Sequence, residues 1–141
     1  MKKIITSGFL IILVSVAGGC SLFKKDRVID INNTKWSPTM LMTKNIVKDN
    51  SKSFIEFEDG KVHGNTGCNL IGGTYTRNTN GSLDIKSFLT RRMCKKSTMD
   101  IEHNFSQALN KVVHYNIVNG QLVFYSAGNN TIAKLNSLNP K

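Results

Sequence analysis

The sequence of 141 residues is poor in acidic side chains and in histidine, and no internal repeat runs through it. Its 3 His, at positions 63, 103 and 114, lie far apart, and together with the 3 Cys they form none of the close Cys or His spacings of a zinc site. The expectation is therefore no metal ligand and no cofactor. The longest apolar stretch, Ile4 to Val16, is interrupted by Thr6, Ser7 and Gly8, and it is shorter than the ~20 residues a bilayer-spanning helix needs. It reads as a removable leader rather than a permanent span. Acidic residues number 9 against 19 Lys and Arg, a formal charge of +10. In a cytosolic protein that balance would point to nucleic acid, but the leader directs the chain out of the cytosol, so no nucleic acid partner is expected.

What is present at the N-terminus has the three parts of an export signal: basic Lys2 and Lys3, the apolar stretch, and the small residues Ala17-Gly18-Gly19 before Cys20. The surroundings of Cys20 resemble the bacterial lipobox, in which small residues precede a cysteine whose sulfur receives a diacylglyceryl group before the leader is cut away. Residues 1–19 are thus expected to be a lipoprotein signal peptide, Cys20 the lipid attachment site, and the membrane a partner through that anchor. The alternative is an ordinary secretory signal cut near Gly19. With several acyl chains the attachment is stable, whereas one holds only marginally. Ser21 and Leu22 follow the cysteine, and the same resemblance implies an outer-membrane location facing the periplasm if the cell has two membranes.

Removing Lys2 and Lys3 leaves 17 basic against 9 acidic residues, or +8. Acidic lipid headgroups or an acidic envelope protein are the neighbours such a charge attracts, within a Debye length of about 10 Å; a plain role in solubility is the other reading. Roughly 120 residues follow the leader, enough for one domain with a single core. Residues 20–32 read as a polar tether, and 137–141 as a fraying tail.

Strand signals dominate the domain. Phe54-Ile55-Glu56-Phe57-Glu58 leads into the hairpin dipeptide Asp59-Gly60 and then Lys61-Val62-His63. Gly72-Gly73 within Cys68 to Tyr75 suggests a bulge or a sharp bend rather than a flat central strand. Asn80-Gly81 turns the chain before Leu83 to Lys86, Asn119-Gly120 before Gln121 to Tyr125, and Gly128-Asn129-Asn130 before Thr131 to Leu135. A single helix is expected, capped by Ser97-Thr98-Met99-Asp100, with Asp100 and Glu102 near the positive end of its dipole. Ile101, Phe105, Ala108, Leu109 and Val112 recur on one face, suited to plug the open side of a curved sheet; a partner-binding helix is the other use of such a face.

Gly67-Cys68-Asn69, Gly72-Gly73-Thr74-Tyr75, Thr90-Arg91-Arg92-Met93-Cys94, the helix, and Asn119-Gly120-Gln121-Leu122 together resemble the signature of the META (HslJ-like) domain family over residues 33–136. Trp36 is similar to the family's tryptophan near the domain start. The resemblance implies an α+β fold in which a strongly curved antiparallel β-sheet packs on one main α-helix. It also implies association with envelope stress or tolerance rather than a defined reaction, and it carries over no catalytic residue. With Cys20 acylated, Cys68 and Cys94 remain as an even pair in an oxidising compartment, so a disulfide between them is expected; two buried thiols that never meet are the alternative.

A thiol hydrolase built on Cys94 with His103 or His114 is conceivable, because Arg91, Arg92, Lys95 and Lys96 would lower a thiol pKa. Pairing with Cys68 would remove that nucleophile, and the expectation is no enzyme. Those same four cations are the candidate contacts for an anionic surface, weighed against a solvated loop entering a helix. Two functions follow: an envelope lipoprotein acting through protein or lipid contacts, or a binder of a small apolar molecule in the concavity between sheet and helix. Phe54, Phe57, Tyr75, Phe105, Phe124 and Tyr125 could line that concavity or simply fill the core.

Overall fold

Asp59-Gly60 and Asn119-Gly120 each place two consecutive residues at positive φ, 45° and 77° in the first pair and 52° and 77° in the second. That backbone is what a two-residue type I′ loop requires, and an Asp-Gly or Asn-Gly pair adopts it with little strain. The first dipeptide joins β3 (Phe54–Glu58) to β4 (Lys61–Asn65), and the second joins β7 (His114–Val118) to β8 (Gln121–Tyr125). The computed structural model of the protein describes residues 30–47 and 52–138. The leader, Cys20 and most of the tether lie outside these residues. The sheet is completed by β1 (Thr34–Leu41), β2 (Lys44–Asn45), β5 (Leu70–Arg77), β6 (Leu83–Leu89) and β9 (Thr131–Ser137), and α1 (Lys96–Lys111) is the helix.

All pairings are antiparallel, in the order β6-β5-β4-β3-β1-β9-β8-β7, with β2 on the flank of β1. The two ends of this ribbon curl until they meet at one end of the sheet. There the Leu83 N–H donates to the Val113 carbonyl (3.0 Å) and the Tyr115 N–H to that of Gly81 (2.9 Å). Beyond this short seam the edges diverge, and α1 packs into the gap against β6, β1 and β9. The result is a strongly curled antiparallel half-barrel with one helix, the α+β architecture expected from the sequence.

The helix face is as the spacing predicts. Phe105, Ala108 and Leu109 are buried, Val112 nearly so, and Ile101 packs against the same core. Each large side chain so buried contributes roughly 1.5 to 3 kcal/mol. The helix start differs from expectation. Lys95 is the N-cap, without a side-chain cap bond, and no acidic residue occupies the first turn. Ser97 therefore lies inside the helix, and Asp100 falls beyond its first turn.

Gly72-Gly73 makes no bulge, because β5 pairs in unbroken register with both β4 and β6. Close approach is what these glycines permit: a Cβ on Gly72 would stand 2.5 Å from the Phe88 ring, and one on Gly73 2.1 Å from the Lys86 carbonyl oxygen. β1 runs through the middle of the sheet despite Pro38, which cannot donate to a ladder. Its register with β9 shifts between Pro38 and Met40, where the Thr39 hydroxyl donates to the Lys134 carbonyl at 3.0 Å.

Two boundaries also move. Ile31, within the stretch read as tether, is fully buried in the core. At the other end Ser137 pairs with Trp36, and the Leu138 N–H donates to the Lys35 carbonyl at 2.8 Å. Among the described residues every buried hydrophobic side chain lies between Ile31 and Leu135. Residues 31–135 thus hold the whole described core.

Candidate functional site

The loops after β4 and β6 emerge at the same end of the sheet, because Asn65 pairs with Leu70 and Leu89 with Ile71. The first loop is a tight turn closed on itself: the Thr66 N–H donates to the Asn69 carbonyl (2.8 Å), and the Asn69 N–H to Thr66 Oγ1 (3.0 Å). Both residues are buried, at 0% and 2% exposure.

The Asn69 amide uses its whole hydrogen-bonding capacity. Its Nδ2 donates to the Arg92 carbonyl (3.1 Å) and to Glu102 Oε2 (2.8 Å). Its Oδ1 accepts from the Arg92 N–H (2.6 Å) and the Thr90 hydroxyl (3.0 Å). Glu102 Oε2, reaching down from α1, also accepts from Thr66 Oγ1 at 2.9 Å. One buried side chain thereby binds three pieces of the molecule together: the turn, the segment Thr90 to Lys95, and the helix. Leaving any of these buried groups unpaired would cost about 1 to 3 kcal/mol.

Cys68 and Cys94 stand beside this node with their Cα atoms 6.1 Å apart, a pair capable of forming a disulfide. The segment between β6 and α1 is thus held by an amide, by a carboxylate and by the cysteine pair. On it Arg91, Arg92 and Lys95 are exposed, as is Lys96 at the first position of α1. Grooves flank Arg91 on both sides. One of about 370 Å³ runs between it and Asn65, Leu70 and Arg92; another of about 480 Å³ runs between it and Phe88, Met99 and His103.

The opposite end of the sheet is held differently. Asp30 and Arg77 form an ion pair at 2.6 Å. Asn32 Oδ1 accepts from the Asp59 N–H (2.8 Å) and from the Tyr75 hydroxyl (3.2 Å). Burial pushes the phenols of Tyr75 and Tyr115 up from their ordinary value, against the opposing pull of the Arg77 charge.

The remaining predicted residues do not converge. His63 lies on β4, His103 shares a 2.6 Å hydrogen bond with Gln107 on the exposed helix surface, and His114 stacks obliquely on Tyr125. Among the described residues no group of three or more His, Cys, Asp or Glu is placed to hold a metal ion. Of the aromatic set, Phe57, Phe105 and Phe124 are fully buried, Tyr75 nearly so and in edge contact with Phe57, and Phe54 and Tyr125 are half-buried. Phe57, Tyr75, Phe105 and Phe124 belong to the core between sheet and helix, whereas Phe54 and Tyr125 lie on the outer face of the sheet, under Lys35 and beside His114. Sequence reasoning missed the role of Asn69 and its bond to Glu102. The signal was there in Gly67-Cys68-Asn69, but it said nothing of a partner 33 positions away.

A curled antiparallel sheet closed by one helix, with a cysteine-braced loop at one end, is the architecture expected of a META domain. The META domain family model matches residues 29–137, and the chain belongs to that family. Comparison with curated protein sequences yields no match. Among solved structures the chain is similar to a protein from Burkholderia xenovorans (15% identity, TM-score 0.63, covering 78% of this chain and 85% of that one). A second NMR structure shares 20% identity with a TM-score of 0.59, covering 75% and 90%. A DUF4847 family protein from Bacteroides vulgatus shares 15% with a TM-score of 0.56, covering 79% and 96%. At these identities the likeness speaks to the fold alone.

Proposed function

We propose that the chain is a non-enzymatic lipoprotein of the cell envelope, anchored by lipid at Cys20 and contributing to stress response or tolerance through protein or lipid contacts. In a cell with two membranes it would sit on the outer one, facing the periplasm. The observation that carries this reading is the outward, braced presentation of Arg91, Arg92, Lys95 and Lys96 on a loop whose fixings spend a buried amide and a cysteine pair. A loop with no task beyond connection would not need its backbone fixed so firmly while leaving same-sign charges to repel one another. The paired cysteines suit an oxidising compartment, in keeping with the export signal.

Mass spectrometry of the chain recovered from envelopes tests the anchor. A mature polypeptide beginning at diacylglyceryl-modified Cys20 is expected, and Cys20→Ser should release the protein from the membrane fraction. Recovery of unmodified protein starting at Met1 in the soluble fraction would overturn the reading.

A further inference from the structure

Fold stability does not account for the apolar side chains around the basic loop. Leu70 is 58% exposed, Phe88 67% and Met93 87%. Met93 stands within the cationic run, while Leu70 and Phe88 line the two grooves on either side of Arg91. Phe88 lies on the outer face of β6, opposite Gly72. Its ring occupies the space a side chain on Gly72 would fill. The Glu102 carboxylate is turned inward onto Asn69 and Thr66, and Asp100 is exposed beside Lys95, so the four cations still outnumber the nearby carboxylates two to one. In sequence the apolar and cationic residues interleave from Phe88 through Arg91, Arg92 and Met93 to Lys95 and Lys96. Cations beside exposed large apolar side chains are the composition of a surface that lies in a bilayer interface.

We propose that this end of the half-barrel docks on an anionic lipid surface. The four cations meet lipid phosphates, and Phe88, Met93 and Leu70 enter the boundary between headgroups and acyl chains. A fluid boundary accepts side chains of unlike shape without a complementary pocket, which is why a bilayer fits this edge better than an acidic protein. The inference rests on the envelope reading above and adds insertion to it. Asp30, where the described chain begins, pairs with Arg77 at the far end of β5 from Leu70, about 23 Å away at the usual rise of a strand. The ten residues from Cys20 to Asp30 span at most about 33–36 Å, so an anchored chain can still lay this edge on the membrane that holds it.

The test uses residues 21–141, which contain the whole described core, with vesicles of phosphatidylcholine alone or of phosphatidylcholine and phosphatidylglycerol at two to one. Binding to the anionic vesicles only is expected. Met93→Ser and Phe88→Ser should each weaken it roughly tenfold, the loss expected when one large apolar side chain no longer leaves water. A tryptophan introduced by Phe88→Trp should be quenched by brominated acyl chains, while buried Trp36 is not. Because Met93 is 87% exposed, its variant carries no folding risk and decides the matter alone if Phe88→Ser fails to fold. Serine variants that bind like the wild type, with an unquenched tryptophan at position 88, would overturn insertion while leaving the charge reading intact. Undiminished binding by the Arg91→Gln, Arg92→Gln, Lys95→Gln, Lys96→Gln variant would instead sink the underlying reading. Preference for soluble polyglutamate over vesicles, with the same dependence on Met93, would assign the edge to an acidic protein and overturn the bilayer proposal.

Discussion

The two ends of the half-barrel solve the same problem, fastening loops to a curled sheet, with different chemistry. At the end bearing the basic loop, the fixings are a cysteine pair and a buried amide with every hydrogen-bonding position used. At the end where the chain enters the sheet, they are a part-exposed ion pair, an asparagine and two buried tyrosines. The first end holds a charged, outward-facing segment against its own repulsion, and its fixings are redundant, a buried amide backed by a half-buried cysteine pair. The second only has to seat an incoming strand, and part-exposed polar contacts over two buried tyrosines suffice.

Mutations should expose that asymmetry. Replacing Cys68 and Cys94 by serine is expected to lower stability by about 3 to 4 kcal/mol on the chain-entropy account of a closed loop, read as a shift in urea midpoint that reductant reproduces in the wild type. Asn69→Ala should cost about 1 to 3 kcal/mol, since it leaves the Arg92 carbonyl and N–H without the amide and takes one of two donors from the Glu102 carboxylate. Hydrogen exchange at the Arg92 amide should then rise before exchange in β5 does. Asp30→Asn, at the other end, should cost under about 1 kcal/mol, because Asp30 is largely solvated, and a comparable loss there would erase the contrast. The smallest effect concerns pH. The folded state holds the protons of Tyr75 and Tyr115 above the ordinary value of 10.0, so the unfolded chain ionises first. Their contribution is complete below pH 10 and is lost as pH rises through the folded values. Tyr75→Phe or Tyr115→Phe should flatten the alkaline fall in melting temperature.

Legibility from sequence followed the range of the interactions. Asp59-Gly60 and Asn119-Gly120 were readable because the turn geometry is settled within two residues. The helix face was readable because Phe105, Ala108 and Leu109 are related by a local period. Ser97 misled, for the helix starts where Asn69 holds Arg92 and where Cys94 faces Cys68, and neither constraint is local. Gly72 and Gly73 announced something unusual in the backbone, but whether it was a bend or a close neighbour depended on Phe88 and Lys86 across the sheet. Pro38 hid β1 from pattern reading, and Ile31 hid among polar neighbours, since its burial depends on strands far along the chain. Of the site, the four cations and the cysteine pair could be named in advance, whereas the Asn69–Glu102 link that sets their stage could not.

β1 is flanked by β3 on one side and β9 on the other. A force arriving from the N-terminal side therefore loads an interior strand, and two hydrogen-bonded ladders must shear together before the domain gives way. The proposed leash at that terminus would tug the domain where two ladders resist together, and its edges would be spared peeling.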